Sequence, residues 1–176
     1  MNKSNFLKKI LIWDLICFLF LIAIDRVTKF LAMYYCEQKN ISLVENTLEI
    51  TCLENYGGAL GILSNQRFFF IFISALFITL IIFFLLALPN DKKFMGFNIC
   101  LSFIIAGMTG NMLDRIIYGY VVDIIYISKI NFPVFNLSDI WISIGVLFTI
   151  VIVLFRLKEK DFEFMNFKQN KYREIK

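Results

Sequence analysis

Four long apolar runs restrict the fold of this chain more than any other feature. They cover about residues 10–33, 68–88, 94–113 and 140–155. The first is interrupted by Asp14 and by the polar group Asp25, Arg26, Thr28 and Lys29, whereas the second carries no charge. A helix needs about 20 residues to cross the hydrocarbon core. In lipid, only helices or closed barrels satisfy the backbone polar groups. Of the 176 residues, 59% are hydrophobic, which is too apolar for a soluble domain. The expectation is an all-α membrane bundle of four transmembrane helices, with residues 1–176 forming a single integral membrane domain. Lys3, Lys8 and Lys9 precede the first run as they would in a cleaved signal peptide. However, Asp14 breaks its apolar centre and no small-x-small site precedes Asp25, so the run is read as a retained span.

Lysine and arginine orient such a bundle. Cations sit at the N-terminus, at Lys92 and Lys93, and throughout the tail 156–176, while the segment after the first run carries Glu37, Glu45, Glu49 and Glu54. Both termini are therefore expected in the cytoplasm, and the connections 34–67 and 114–139 are expected outside. The tail is read as a solvated basic segment near anionic headgroups, and it has no nucleic-acid-binding motif. In the first outer connection, Leu48, Ile50 and Cys52 alternate with Glu49, Thr51 and Leu53, as in a half-buried strand. Gly57, Gly58 and Gly61 follow, permitting turns. A small outward-facing β element is expected there. In the second, Phe132-Pro133 argues against a helix.

The chain contains no histidine. Ser/His and Cys/His nucleophile systems are thus excluded, as is any His-ligated metal. The four cysteines lack C-x-x-C spacing, so no metal site or cofactor is expected. Unpaired thiols are favoured, although the sequence leaves a Cys36–Cys52 pair open.

What remains is carboxylate chemistry, concentrated between Asn111 and Asp139. Asn111 and Asp114 are three apart at the end of the third span, and Asn136 and Asp139 are three apart at the start of the fourth. If helical, each asparagine lies one turn from its own aspartate. Asp123 lies between them in Val121-Val122-Asp123-Ile124-Ile125. Two carboxyls in one dry site share a proton and titrate as a unit, which is the machinery of an aspartic protease. The spacing nominates three acids and does not choose two. Structural roles compete: Asp114 as an ion pair with Arg115 or a helix-end anchor, Asp139 as an N-terminal acid of the fourth span, and Asp25 with Lys29 as an i,i+4 pair. Asp14 near Lys8 and Lys9 is read as structural. Gly107 and Gly110 are read as permitting close helix packing. Phe68 to Phe70, Phe83 and Phe84 are assigned to lipid contact or core packing.

Five ordered motifs between about residues 10 and 155 resemble the bacterial lipoprotein signal peptidase family. Asp25-Arg26-Val27-Thr28-Lys29 is similar to its D-x-x-T-K, and Asn55-Tyr56-Gly57-Gly58-Ala59-Leu60-Gly61 to its N-x-G-x-A-[FW]-[GS]. Gly110-Asn111-Met112-Leu113-Asp114-Arg115 is similar to G-N-x-x-D-R, Val121-Val122-Asp123-Ile124 to V-V-D-F, and Phe135-Asn136-Leu137-Ser138-Asp139 to F-N-x-A-D. Leu60, Ile124 and Ser138 depart from these patterns. The resemblance implies a catalytic pair, Asp123 and Asp139, with Asn55, Asn111, Arg115 and Asn136 supporting the acids or the substrate. Asp25, Lys29 and Asp114 remain structural polar residues. It further implies a diacylglyceryl-modified prolipoprotein as substrate, cut just before the lipidated cysteine by a monomeric enzyme of the bacterial inner membrane. The active site would lie at the outer face, with the outer sheet as a cradle in the lipid plane. A competing class, a proton- or cation-coupled transporter, would instead need a midplane cavity containing Asp14.

Overall fold

The computed structural model describes residues 3–36, 40–58, 62–89 and 91–165, with the side chains of 3–11 and 163–165 undescribed. Ala59, Leu60, Gly61, an Asp14 pair with Lys8 or Lys9, and the basic tail beyond residue 165 lie outside the described residues. Among the described residues, four α-helices, α1 (Lys3–Tyr35), α2 (Arg67–Ala87), α3 (Met95–Ile117) and α4 (Leu137–Phe155), frame one three-stranded sheet of β1 (Ile41–Val44), β2 (Leu48–Asn55) and β3 (Val121–Tyr126).

Among the described residues, Arg67–Ala87, Lys92–Ile117 and Leu137–Phe155 are long and apolar enough to cross a membrane. α1 is longer than the expected 10–33 and carries Asp14, Asp25, Arg26 and Lys29, so it falls outside that set. Its polar residues do not face outward at random. Leu21, Asp25, Lys29, Ala32 and Cys36 are all buried, and their spacing places them on one stripe of the helix. Val27, Phe30, Leu31 and Tyr34 are exposed on the remaining surface. The helix thus turns its charges into the bundle and its hydrocarbon outward.

α3 is the central helix: it packs on α1, α2 and α4. Glycines set the closest approach. A Cβ on Gly107 would lie 2.3 Å from the Ser138 carbonyl oxygen, and one on Gly145 would lie 2.7 Å from the Cys100 carbonyl oxygen. Gly110 is equally confined. The small residues expected to permit close packing do so between α3 and α4. One apolar core gathers Phe94, Phe97, Leu101, Ile104 and Leu157, with Phe84 packed against it. A second joins Ala32 of α1 to Val122 and Ile124 of β3. Phe68 and Phe83, by contrast, are outward-facing. Lys93 and Asp161 form an ion pair where the α3 entrance meets the segment after α4.

The sheet is antiparallel in the order β1-β2-β3, with Leu53 opposite Asp123 and Asn55 opposite Val121. The strand expected over residues 48–53 is β2, although its burial does not alternate there, and β3 was expected only as part of a connection. Its β-branched run, Val121-Val122-Asp123-Ile124-Ile125, is the signal for it. The connection itself is shorter than expected, since α3 continues to Ile117 and α4 begins at Leu137. Phe132-Pro133 interrupts regular structure, and Phe135 then bridges to Ile125 beside β3. Cys36 and Cys52 are both free thiols.

Candidate active site

The site forms where the start of α4 meets β3 and the end of α3. Phe135 exchanges hydrogen bonds with Ile125, its N–H donating to the Ile125 carbonyl at 3.0 Å and its carbonyl accepting the Ile125 N–H at 2.7 Å. This clasp carries Asn136 to a position beside Asp123. Asn136 is the N-cap of α4, with extended φ −134° and ψ 179°. Its side-chain oxygen accepts the Asp139 N–H at 3.1 Å, and Asp139 Oδ2 accepts the Asn136 N–H at 3.1 Å. That reciprocal capping box satisfies two otherwise orphaned donors. The expected geometry, an asparagine one helical turn from its own aspartate, is therefore corrected at this pair, because a cap residue lies outside the helix. A third orphaned donor, the Ser138 N–H, is taken by Asp25 Oδ1 of α1 at 3.0 Å.

Three asparagine amides aim at two carboxylates. Asn55 Nδ2 donates to Asp123 Oδ2 at 2.8 Å, and Asn136 Nδ2 donates to Asp123 Oδ1 at 2.6 Å. Asn111 Nδ2 donates to Asp139 Oδ1 at 2.8 Å. Each amide is fixed against a flip because its oxygen is already occupied by a donor. Gly57 N–H holds Asn55 Oδ1 at 3.0 Å, Asp139 N–H holds Asn136 Oδ1, and Lys29 Nζ holds Asn111 Oδ1 at 3.3 Å. Every oxygen of the two carboxylates thus accepts one protein donor and keeps a lone pair for water or substrate. Asn111 serves Asp139 rather than its neighbour Asp114, and Asn136 serves Asp123 as well as Asp139.

Asp123 and Asp139 line a common cavity of about 760 Å³, together with Asn55, Asn111 and Arg115. Its apolar wall includes Val121, Phe135, Ile140 and Ile144. Asp123 is 2% exposed. Burial pushes its carboxyl up to about 6, opposed first by the Asn55 amide, reinforced by the nearby Asp139 carboxyl, and opposed again by Asn136 and Lys29. A buried carboxyl poised near neutrality beside a second one can pass a proton to and from water.

Asp114 has a different role and a different partner from the one expected. It is not paired with Arg115. Its oxygens take Arg26 Nη1 at 2.5 Å and Lys29 Nζ at 2.7 Å, and it accepts the Val122 N–H at 3.2 Å. Asp25 completes the network, 2.7 Å from Arg26 Nη2 and 3.2 Å from Lys29 Nζ, the expected i,i+4 pair. Two acids and two bases compensate one another where each alone would be costly. Arg26 was missed from the sequence; its position inside Asp25-Arg26-Val27-Thr28-Lys29 was the available signal. Arg115 instead donates to the Gly57 carbonyl at 2.8 Å and lies 4.6 Å above the Phe70 ring. It anchors the same loop that locks Asn55. Among the described residues, no cluster of acidic or cysteine side chains is arranged to hold a metal ion. Asp14 does not line the cavity shared by Asp123 and Asp139.

A family model described as signal peptidase (SPase) II matches residues 17–155. A lipoprotein signal peptidase from Brevibacillus brevis is 40% identical over 127 residues, covering 72% of this chain and 84% of that protein. One from Clostridium tetani is 38% identical over 146 residues, covering 81% of this chain and 90% of that protein. A solved structure of a bacterial membrane enzyme superposes with a TM-score of 0.69 at 28% identity, covering 83% of this chain and 92% of that one. A second solved structure of the same description gives a TM-score of 0.69, covering 82% and 94%.

Proposed function

From the premise that this chain belongs to the signal peptidase II family, we propose that it is an aspartic endopeptidase whose working groups are Asp123 and Asp139. Membership makes it a membrane-embedded peptidase that removes signal peptides from prolipoproteins. The observation that carries the finer assignment is the convergence of the two carboxyls on one cavity, with three locked asparagine amides and the Asn136 backbone N–H on their four oxygens.

One carboxyl is ionised and one protonated. The ionised carboxyl takes a proton from a water molecule, whose oxygen attacks the scissile carbonyl carbon. The protonated carboxyl donates to the carbonyl oxygen as charge develops there. Collapse of the tetrahedral intermediate breaks the C–N bond, the proton gathered from water goes to the leaving amine, and the proton lent to the carbonyl oxygen returns to the carboxyl that gave it. Asn55, Asn111 and Asn136 hold the acids in place, while Arg115 holds the Gly57 loop. Cleavage falls just before the diacylglyceryl-modified cysteine. The acyl chains supply the anchoring, since each buried methylene contributes about 0.8 kcal/mol. α1, with its charges turned inward, serves as a fourth span. The charge distribution supports cytoplasmic termini and a site at the outer face of a bacterial inner membrane. The enzyme works as a monomeric single domain on lipidated prolipoprotein among membrane lipids.

The purified protein should release the signal peptide from a lipidated precursor in detergent and leave the unlipidated precursor largely intact. Equal cleavage of both would contradict the lipid requirement.

A further inference from the structure

Asp123 stands at the junction of two cavities. The first, described above, holds Asp139 and runs past Ile140 and Ile144 of α4. The second, of about 460 Å³, shares Asn55, Gly57, Asp123, Pro133 and Val134 with the first but not Asp139. Its remaining wall is Leu53 together with Glu54, Tyr56, Ser64 and Asn65. Glu54 is exposed and follows Leu53, the residue paired with Asp123 across the sheet. Its carboxylate accepts the Tyr56 hydroxyl at 2.6 Å. Among the described residues, no lysine or arginine forms an ion pair with it.

A peptide bond held at Asp123 must send its two ends in different directions. Consecutive Cα atoms are about 3.8 Å apart, so the residue next to the cleaved bond's partner reaches an adjoining cavity without strain. The apolar cavity along α4 matches the hydrocarbon-rich signal-peptide side. The second cavity, with Glu54, Ser64 and Asn65 at its wall, matches the mature side, which leaves the membrane. We propose, resting on the peptidase assignment of Asp123, that the second cavity is the subsite for the residue following the modified cysteine, and that Glu54 sets its charge preference. Basic and neutral polar side chains are accepted there and acidic ones are disfavoured, because an uncompensated carboxylate repels a like charge at its rim.

The test uses full-length protein in detergent with three lipidated precursors that differ only in having Lys, Ser or Asp after the modified cysteine. The serine precursor is the internal reference, so ratios are independent of the active fraction. The wild-type protein should show a kcat/KM for the lysine precursor about fivefold above that for the aspartate precursor, the size a solvent-exposed charge pair supplies. Glu54→Gln should bring the ratio close to one and Glu54→Lys should invert it. Equal values in the wild type, or a ratio that both variants leave unchanged, would overturn the subsite. Failure of the underlying peptidase assignment is a separate result: it would show as full cleavage by Asp123→Asn, whatever the ratio.

Discussion

Asn136 and Asp139 close a reciprocal pair at the start of α4, each accepting the other's backbone N–H at 3.1 Å, and this leaves the Asn136 amide free to reach Asp123 at 2.6 Å. One residue therefore caps a helix and registers two carboxyls against each other. Structural and catalytic roles can be separated by a substitution that keeps only the cap. Serine is as good an N-cap as asparagine but has no amide to offer. Asn136→Ser should keep the cap but lose the buried bond to Asp123, lowering stability by about 1–3 kcal/mol, while cleavage falls by about 10²-fold, as expected when a reacting group is misplaced by about 1 Å. Thermal unfolding in detergent and kcat on a lipidated precursor measure the two separately.

The Asp123 carboxyl, raised to about 6, sets the pH dependence. With one carboxyl ionised and one protonated, the Asp123 proton is the second to leave, because the Asp139 charge raises it, so kcat/KM should fall on the alkaline side with an apparent midpoint close to 6, a value that belongs to the coupled pair. Asn55 stabilises the charged form through its amide, so Asn55→Leu should move this limb to higher pH. For stability the sign is opposite to that of a salt-bridged acid. An acid raised in the folded state binds its proton more tightly than in the unfolded chain. Its contribution is therefore lost as pH rises from about 4 to about 6. Asp123→Asn should remove that decline from a plot of unfolding temperature against pH.

Lys29 is 1% exposed and joins Asp25, Asp114 and Asn111. Lys29→Met keeps the bulk of the side chain but leaves two buried acids with Arg26 as their remaining cation. Destabilisation of about 3 kcal/mol is expected, read as a lower unfolding temperature. The Asn111 amide also loses its lock, so activity at a temperature where the variant is still folded should fall further than with an Ala32→Ser control.

Ser138 stands where the family pattern has alanine, and its buried hydroxyl has no hydrogen-bond partner among the described residues. It presses on Gly110, where a Cβ would lie 2.1 Å from Ser138 Oγ and 2.9 Å from Asp25 Oδ2. Ser138→Ala should be neutral or stabilising by about 1 kcal/mol, since an unsatisfied buried hydroxyl is removed. Gly110→Ala should be strongly destabilising, and the double variant should recover only part of the loss because the Asp25 contact remains. A thermal unfolding series over the three variants measures this.

The helices were legible because a span announces itself by length: the apolar runs at 68–88 and 140–155 match α2 and α4 within a few residues. β2 was legible from its alternation, whereas β3 was concealed by the acid at its centre and by burial on both faces. The motifs carried the family, and with it the candidate acids. What spacing alone misassigned was partnership. Asn111 and Asp114 share a helix and both accept from Lys29, yet the Asn111 amide serves Asp139, and Asp114 reaches back to α1 rather than to Arg115 beside it. Neighbours on one helix compete with residues brought in by folding, and a charge on an inward-facing stripe takes whatever partner the opposing helix presents. No local pattern encodes that choice.

The most direct measurement is cleavage of a lipidated precursor by Asp123→Asn and by Asp139→Asn, each purified in detergent and shown folded by its unfolding transition. Amide replacement keeps the shape of each side chain and removes its capacity to exchange a proton. Loss of at least about 10³-fold in kcat is expected for both. Wild-type turnover by either variant would contradict the two-carboxyl mechanism.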